Sequence, residues 1–248
     1  MLEPQNLARP TSYGRTAALY DMHRPAYPAA LLDDLAALSP DEVLDVGCGT
    51  GMVATALVDR GLSVLGVEPD EQMAAVARDH GVSLEVAPFE TWDDAGRQFD
   101  LLTCGAAWHW IDQARGTAKA AQVLRQGGTF ARFYNFELPD EPAISALETV
   151  YRKLAPKLKT YVPVPRDAFP DPVATSDAFS AVETKIYPWS RTVTAEEWVG
   201  MVTTFSDHQR LGAGPLAGLQ QAIRDAIETV GGSVTTSGGT YVLLAHRM

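Results

Sequence analysis

The stretch Asp45-Val46-Gly47-Cys48-Gly49-Thr50-Gly51 follows a short apolar run, Val43-Leu44, and leads into a helix-like run over 52–60. Glycine at alternate positions lets the backbone turn sharply and lets a ligand lie against it without a Cβ in the way. The spacing is G-x-G-x-G, one residue short of the G-x-G-x-x-G fingerprint of dinucleotide sites. The helix that opens at about Thr50 offers its positive end to a phosphate or a carboxylate, and the loop alone does not choose between them.

Outward from this turn the pattern alternates. Strands are expected over 43–46, 63–67, 82–86, 99–104 and 129–134, and helices over 31–38, 50–60, 70–80 and 113–124. Short apolar strands alternating with helices imply an α/β fold with a parallel sheet covered on both faces. Ligands in such sheets bind beyond the carboxyl ends of the strands, at the switch in strand order. Upstream, residues 1–30 read as an irregular arm rich in aromatics. Downstream come a helix over 142–154, a proline-rich passage anchored by Tyr161, Phe169 and Phe179, a strand over 182–187, helices over 195–205 and 216–230, and a terminal strand over 240–245. The chain divides into an arm and helix (1–40), a cofactor-binding core (41–135), a substrate lid (136–180) and remaining core strands with cap helices (181–248), all within one domain.

Composition narrows the function. The 248 residues suit one elaborated domain. With 20 basic and 31 acidic residues the formal charge is −11. No basic footprint exists for nucleic acid, and an acidic surface suits anionic membranes poorly. The two cysteines, Cys48 and Cys104, fall at strand ends and read as reduced core residues, with no disulfide framework or metal cluster. The first residues lack a signal pattern, and no apolar run approaches the ~20 residues of a membrane span, so the expected location is cytoplasmic.

The strand ends carry the candidate chemistry. Glu68, in Gly66-Val67-Glu68-Pro69, stands where an acidic side chain accepts hydrogen bonds from both hydroxyls of a ribose. Pro69 and Met73 fit one face of an adenine, and Met73 fits a core position equally well. After the third strand, Pro88-Phe89-Glu90 is placed to read the adenine edge, with Phe89 also fit to fill the core. After the fourth, Trp108-His109-Trp110 offers an aromatic wall and one titratable group, His109, either a proton-transfer residue or a structural histidine.

At these residues the chain resembles the class I S-adenosylmethionine-dependent methyltransferases, and among them small-molecule enzymes similar to trans-aconitate methyltransferase. The matching pieces run from Val43 to Gly51, from Gly66 to Pro69, from Phe99 to Leu102, and from Ala107 to Asp112. Val123-Leu124-Arg125-Gln126-Gly127-Gly128 matches too, with Gln126 where the family usually has proline. Tyr20 to Pro28 is similar to the family's arm, and Trp189 to Thr192 and Thr204 to His208 also match. The resemblance implies a Rossmann-like, mostly parallel seven-stranded sheet whose last strand is antiparallel. It implies Gly47, Cys48 and Gly49 near the methionyl part, Glu68 on the ribose, and Pro88 to Glu90 around adenine. Cys104, Gly105 and Ala106 would give backbone near the amino-acid end, Asp45 would support the loop or the cofactor amine, and Tyr20 and Arg24 would close the site.

The expected activity is methyl transfer from S-adenosylmethionine to oxygen or nitrogen of a small molecule, by a monomer or homodimer, without nucleic acid or membrane. His109 is the first candidate base and His208 the second. Trp108, Trp110, Tyr134, Tyr161 and Trp198 would line a pocket for a flat, mostly apolar acceptor. Two rivals remain: a nucleotide-dependent oxidoreductase on a similar sheet, and a non-catalytic protein that keeps the cofactor fold. A nucleic-acid or protein methyltransferase is weaker, opposed by the charge and by the lack of an Asn-Pro-Pro-Tyr-like element after the fourth strand.

Overall fold

The computed structural model describes residues 16–158 and 172–248. Tyr161 and Phe169, expected in the lid, lie outside them. The strands are β1 (Glu42–Val46), β2 (Ser63–Glu68), β3 (Leu84–Val86), β4 (Phe99–Gly105), β5 (Leu124–Pro139), β6 (Glu183–Thr194) and β7 (Ser233–His246). They form one seven-stranded sheet in the order β3-β2-β1-β4-β5-β7-β6. Strands β1 to β5 pair in parallel, and β7 runs antiparallel between β5 and β6. The order reverses between β1 and β4, which puts the crevice of the sheet beside the Gly47 turn.

Alternation along each strand assigns side chains to opposite faces. Val43, Leu101 and Ala131 pack on one face, against Leu31, Leu32 and Leu35 of α2 (Ala29–Ala37) and Val53, Ala54 and Leu57 of α3 (Met52–Val58). Their neighbours Leu44, Leu102 and Phe130 pack on the other, with Ala120 and Val123 of α5 (Gln113–Val123). Both faces are buried, and so these strands read as unbroken apolar runs. On the first face lies also α4 (Glu71–Asp79), with Asp70 as its N-cap accepting from the amides of Gln72 and Met73. A third cluster joins α6 (Ala143–Leu154), α7 (Ala195–Thr203) and α9 (Ala213–Thr229) into a helical cap, beside the short α8 (Ser206–Gln209).

Three expectations need correction. Within the arm, residues Ala17–His23 form a helix, α1, rather than irregular chain. It stops at Arg24 because Pro25 forces the preceding residue to extended backbone (φ −70°, ψ 138°). The strands expected over 129–134, 182–187 and 240–245 belong to a much longer ladder. It pairs Thr129 with His246 at one end and Pro139 with Thr236 at the other. Pro188, which discourages extending a strand, is tolerated because β6 is the sheet's edge. Residues 136–139, assigned to the lid, are the last of β5.

The helix α1 straddles the two halves of the molecule. Asp21 meets His80, just beyond α4, at 3.1 Å. On the other side the ring of His23 lies on Gly200 of α7, where a Cβ would stand 2.4 Å from it.

Candidate active site

The glycine turn is held from below. The amides of Gly47 and Cys48 donate to the Val67 carbonyl at 2.8 and 3.2 Å. Gly47 has φ +64°, and a Cβ there would lie 2.4 Å from the Cβ of Ala107, in the loop after β4. Both the conformation and the space exclude a side chain. The loops after β1 and β4 thus meet where the Ala107 methyl lies against the bare Gly47 backbone, and a cleft opens beside them.

Two buried carboxylates serve this region, Glu68 on the cleft and Asp45 on its inner recess. Glu68 is 6% exposed. Its Oε2 accepts from the Gly49 amide and its Oε1 from the Asp70 amide, each at 2.9 Å. Each oxygen keeps a further lone pair for a hydroxyl donor. Burial raises its pKa to about 7 against the lowering pull of those amides, with the Asp70 charge adding a smaller rise. Asp45 is 1% exposed. Its Oδ1 accepts from the Thr103 hydroxyl at 2.8 Å, while its Oδ2 is buried with no hydrogen-bond partner. Burial lifts this carboxyl also to about 7, against the weaker lowering pull of the Thr103 hydroxyl and of the Ala54 amide, whose approach falls short of a hydrogen bond. A buried polar atom left unpaired costs about 1–3 kcal/mol, which a ligand donor would recover.

The cleft has a volume of about 490 Å³ and is lined by Tyr20, Arg24, Gly47, Gly49, Glu68, Pro69, Met73, Pro88, Phe89, Glu90, Gly105, Ala106, His109 and Trp110, with Val67, Ala107 and Ile111. An inner recess of about 80 Å³ adds Asp45, Cys48, Tyr27 and Asn135 and shares Tyr20, Arg24, Gly47, Gly49, Gly105 and Ala106 with it. Met73 and Phe89 are both 4% exposed or less and line the cleft, so each is a core residue with one edge on the cavity. Cys104 is 1% exposed and packs in the core rather than lining either space. The cleft volume falls in the range of small-molecule sites, about 300–1,000 Å³.

The candidates for an acceptor pocket separate. Trp110 and His109 face the cleft, but Trp108, the first residue of the same 3-10 turn, points the other way. It is 3% exposed and packs edge-on to Phe130 at 4.8 Å. Trp198 is wholly buried in the cap. His208 is 3% exposed; its Nε2 meets the Tyr151 hydroxyl at 2.8 Å and its Nδ1 meets Asp207 at 2.8 Å. It braces the cap and does not reach the cleft as a base. Tyr134 lies against Tyr241 at 5.5 Å, away from the cleft lining.

The arm is fastened from two sides. Arg24 donates Nε to the Thr204 hydroxyl at 2.8 Å, and its guanidinium lies 4.5 Å from the Phe205 ring centroid and 4.9 Å from that of Tyr20. Asn135, on β5, donates Nδ2 to the carbonyls of Pro25 and Ala26 at 2.9 and 3.3 Å. Asn135, Thr103 and Thr204 are members of the site that sequence patterning misses, since each acts through a distant partner. Ala106 adds a backbone signal: its φ is +53°, rare for alanine, and its amide is held by the Phe133 carbonyl at 2.8 Å.

His109 is screened by the cleft walls and stands near the Arg24 charge. Desolvation first and that charge second lower its pKa to about 4. Water in the open mouth, to which the ring is exposed, offsets part of this depression. The imidazole is neutral at pH 7, able to accept a hydrogen bond but weak as a base.

Residues 43–128 match the model of the methyltransferase domain. An uncharacterized methyltransferase of Mycobacterium tuberculosis is 36% identical over 127 residues, covering 50% of this chain and 52% of that one. The chain thus spans about half the length of the curated relatives it matches. A candidate type II methyltransferase from Anaeromyxobacter dehalogenans superposes with a TM-score of 0.63 at 25% identity, covering 90% of this chain and 97% of that one. A phosphoethanolamine N-methyltransferase 2 of Haemonchus contortus, solved with phosphomonomethylethanolamine and S-adenosylhomocysteine, gives 0.54 at 15% identity, covering 97% of this chain and 60% of that one; it speaks for the fold. A methyltransferase domain therefore occupies residues 43–128, and the relatives and the solved structure that the chain resembles are methyltransferases.

Proposed function

We propose that this protein transfers the methyl group of S-adenosylmethionine to a small-molecule acceptor. The observation that carries the proposal is the partnerless, buried Oδ2 of Asp45 beside the glycine turn. With Glu68 it gives two acidic groups at the ends of β1 and β2, Asp45 in the inner recess and Glu68 in the adjoining cleft. A ligand bearing an ammonium group and a ribose diol satisfies both.

In this reading Asp45 takes the amine, Glu68 the ribose hydroxyls, and Pro69, Met73, Pro88, Phe89 and Glu90 surround the base. Gly47, Cys48, Gly49, Gly105 and Ala106 give close backbone at the methionyl end, and Tyr20 and Arg24 cover it. When bound, the cofactor supplies an activated methyl group: the bond to sulfur breaks, its electron pair stays on sulfur, and a bond to the acceptor forms. The protein's part is to hold donor and acceptor in line and exclude water, where proximity is worth up to about 7–11 kcal/mol. His109, neutral at pH 7, orients the acceptor by accepting a hydrogen bond from its hydroxyl or amine, whose proton passes on to water; a carboxylate needs no base. Residues 41–135 act as the donor half, and the arm, the cap helices and the long ladder as the acceptor half. The acidic composition supports a small acceptor over nucleic acid. Among the described residues no helix is long and apolar enough to cross a membrane.

Calorimetric titration with S-adenosylmethionine, S-adenosylhomocysteine and NADH tests the donor. Binding of the first two and not the third is expected; binding of NADH alone would favour an oxidoreductase. Tight cofactor binding with no methyl transfer to any acceptor of a broad panel would favour a non-catalytic role.

A further inference from the structure

Two short 3-10 turns flank the cleft. The first, Phe89–Thr91, follows β3 and brings Phe89 and Glu90 to the end where the base would lie. The second, Trp108–Trp110, follows β4 and carries His109 and Trp110. The two turns are joined twice. Phe89 packs on Trp108 with ring centroids 6.4 Å apart, and Glu90 Oε1 accepts from the Asp112 amide at 2.8 Å. Consecutive residues of one turn thus touch the first residue of the other and the chain just past its end.

The second turn is a preformed unit. Gln113 Nε2 donates to the carbonyls of Trp108 and Ile111 at 2.7 and 3.0 Å. The Ile111 side chain lies on the bare backbone of Gly116, where a Cβ would stand 2.4 Å from its Cγ2. A segment closed on itself in this way moves as a body, and Glu90 fastens its far end. The Asp112 amide stands at the start of α5, where N–H groups find no acceptor inside the helix. The Asp112 carboxylate is engaged with the Arg115 amide at 3.0 Å, which leaves its own amide to Glu90. Glu90 lines the cleft together with His109, Trp110 and Ile111. The amide takes one of the roughly four acceptor positions of its carboxylate.

We propose that Glu90 is a positioning residue. It ties the turn carrying His109 and Trp110 to the base end of the donor site, so that seating the base sets the place of the acceptor-side side chains. The proposal rests on the methyl-transfer reading. It gives Glu90 a role beyond surrounding the base, and it makes the backbone of Asp112, outside the cleft, part of the same linkage.

The amide can be deleted by itself. Asp112 has φ −58°, which proline adopts, and Ile111 before it is extended at φ −88°, ψ 140°, as a residue preceding proline requires. Asp112→Pro removes the N–H and the capping carboxylate, Asp112→Ala the carboxylate only, and their difference isolates the N–H. The reporter is fluorine NMR of protein labelled with 5-fluorotryptophan. Five tryptophans give five resonances; Trp110→Phe identifies the reporter and Trp198→Phe a fixed reference in the cap. The probe is adenosine, which carries base and ribose without the methionyl part.

In the unliganded protein, Glu90→Ala is expected to move the Trp110 resonance away from its wild-type position. Asp112→Pro is expected to move it in the same direction relative to Asp112→Ala, and Trp198 should stay in place in both. Each change is expected to weaken adenosine binding about fivefold, and the two together no further than either alone. Glu90→Gln keeps an oxygen for the amide and is expected to restore the Trp110 resonance. An unmoved Trp110 resonance in Glu90→Ala overturns the proposal. So does a loss of adenosine affinity in Glu90→Ala that Asp112→Pro does not share, which makes Glu90 a plain contact of the base. A fall in Tm with neither change overturns it as well and leaves a helix cap. If Asp112→Pro does not fold, equal Trp110 resonances in Glu90→Ala and Glu90→Gln overturn it. S-adenosylhomocysteine titration of the wild type separates the two ideas: no binding overturns the methyl-transfer reading and the positioning role with it, whereas binding with an unmoved Trp110 resonance in Glu90→Ala overturns the positioning role alone.

Discussion

The proposed donor half and the proposed acceptor half use one sheet in two different ways. In the donor half the strands are short and the site is made where they stop. Gly49 and Glu68, which touch, are 19 residues apart, with one helix and one strand between. In the acceptor half the strands run long and the site is made by distant segments. Arg24 finds Thr204 across 180 residues, and Asn135 finds Pro25 across 110. In the proposed reading, the chemistry common to every acceptor is written locally, in turns and caps, and selectivity in long-range contacts.

The largest effect expected from breaking the donor side is that of Glu68→Ala. Losing two hydrogen bonds to a charged acceptor, at about 1.5 kcal/mol each, weakens S-adenosylhomocysteine binding roughly 100-fold. Calorimetry checks this, and unchanged affinity would remove Glu68 from the ribose. Next is Gly47→Ala, which adds a Cβ where Ala107 already sits and at φ +64°. We expect a cost of about 2 kcal/mol and a fall in Tm of roughly 4–8 °C by calorimetric scan.

The third prediction concerns pH. Asp45 and Glu68 have folded pKa values raised to about 7 from ordinary values of 3.8 and 4.5. The unliganded protein therefore holds extra protons between about pH 4 and 7, and these carboxyls make it less stable as pH rises through that window. Ligand binding needs them ionised and has the opposite sign. For one carboxylate, affinity for S-adenosylhomocysteine should fall about tenfold from pH 8 to pH 6, with proton uptake by the buffer below pH 7. Asp45→Asn should flatten the curve, whereas His109→Gln should leave it intact, since His109 is already neutral there.

The smallest effect belongs to the acceptor side. Thr204→Val removes one hydroxyl from the Arg24 clasp, worth about 1 kcal/mol, and should speed cofactor release about fivefold by stopped-flow. If Thr204→Val instead rivals Glu68→Ala, the division between halves is wrong.

Legibility followed the same divide. The glycine turn, the acid at Glu68 and the sheet alternation could be read because each rests on neighbours in sequence and on a repeating burial pattern. The ladder could not be read to its full length, because Asn135, Gly238 and Thr240 break the apolar alternation while backbone pairing carries the strands through. Trp108 and His109 differ in facing by one step of a tight turn, which residue type does not reveal. Trp198 and His208 looked suited to a pocket; only the cap formed by α6 and α9 turns them into brace and core. The setting of Arg24 was hidden most of all, because it comes from α1 and the end of α7 together.

Gly200 extends this lesson beyond the residues that line the cleft. It lines neither the cleft nor its inner recess, yet the His23 ring fills the place where its side chain would be. The clearance between the N-terminal helix and the cap is set there by the absence of a single methyl group. Sequence drift at this position would reach the donor site by changing the height of the roof, leaving every residue on the walls as it was.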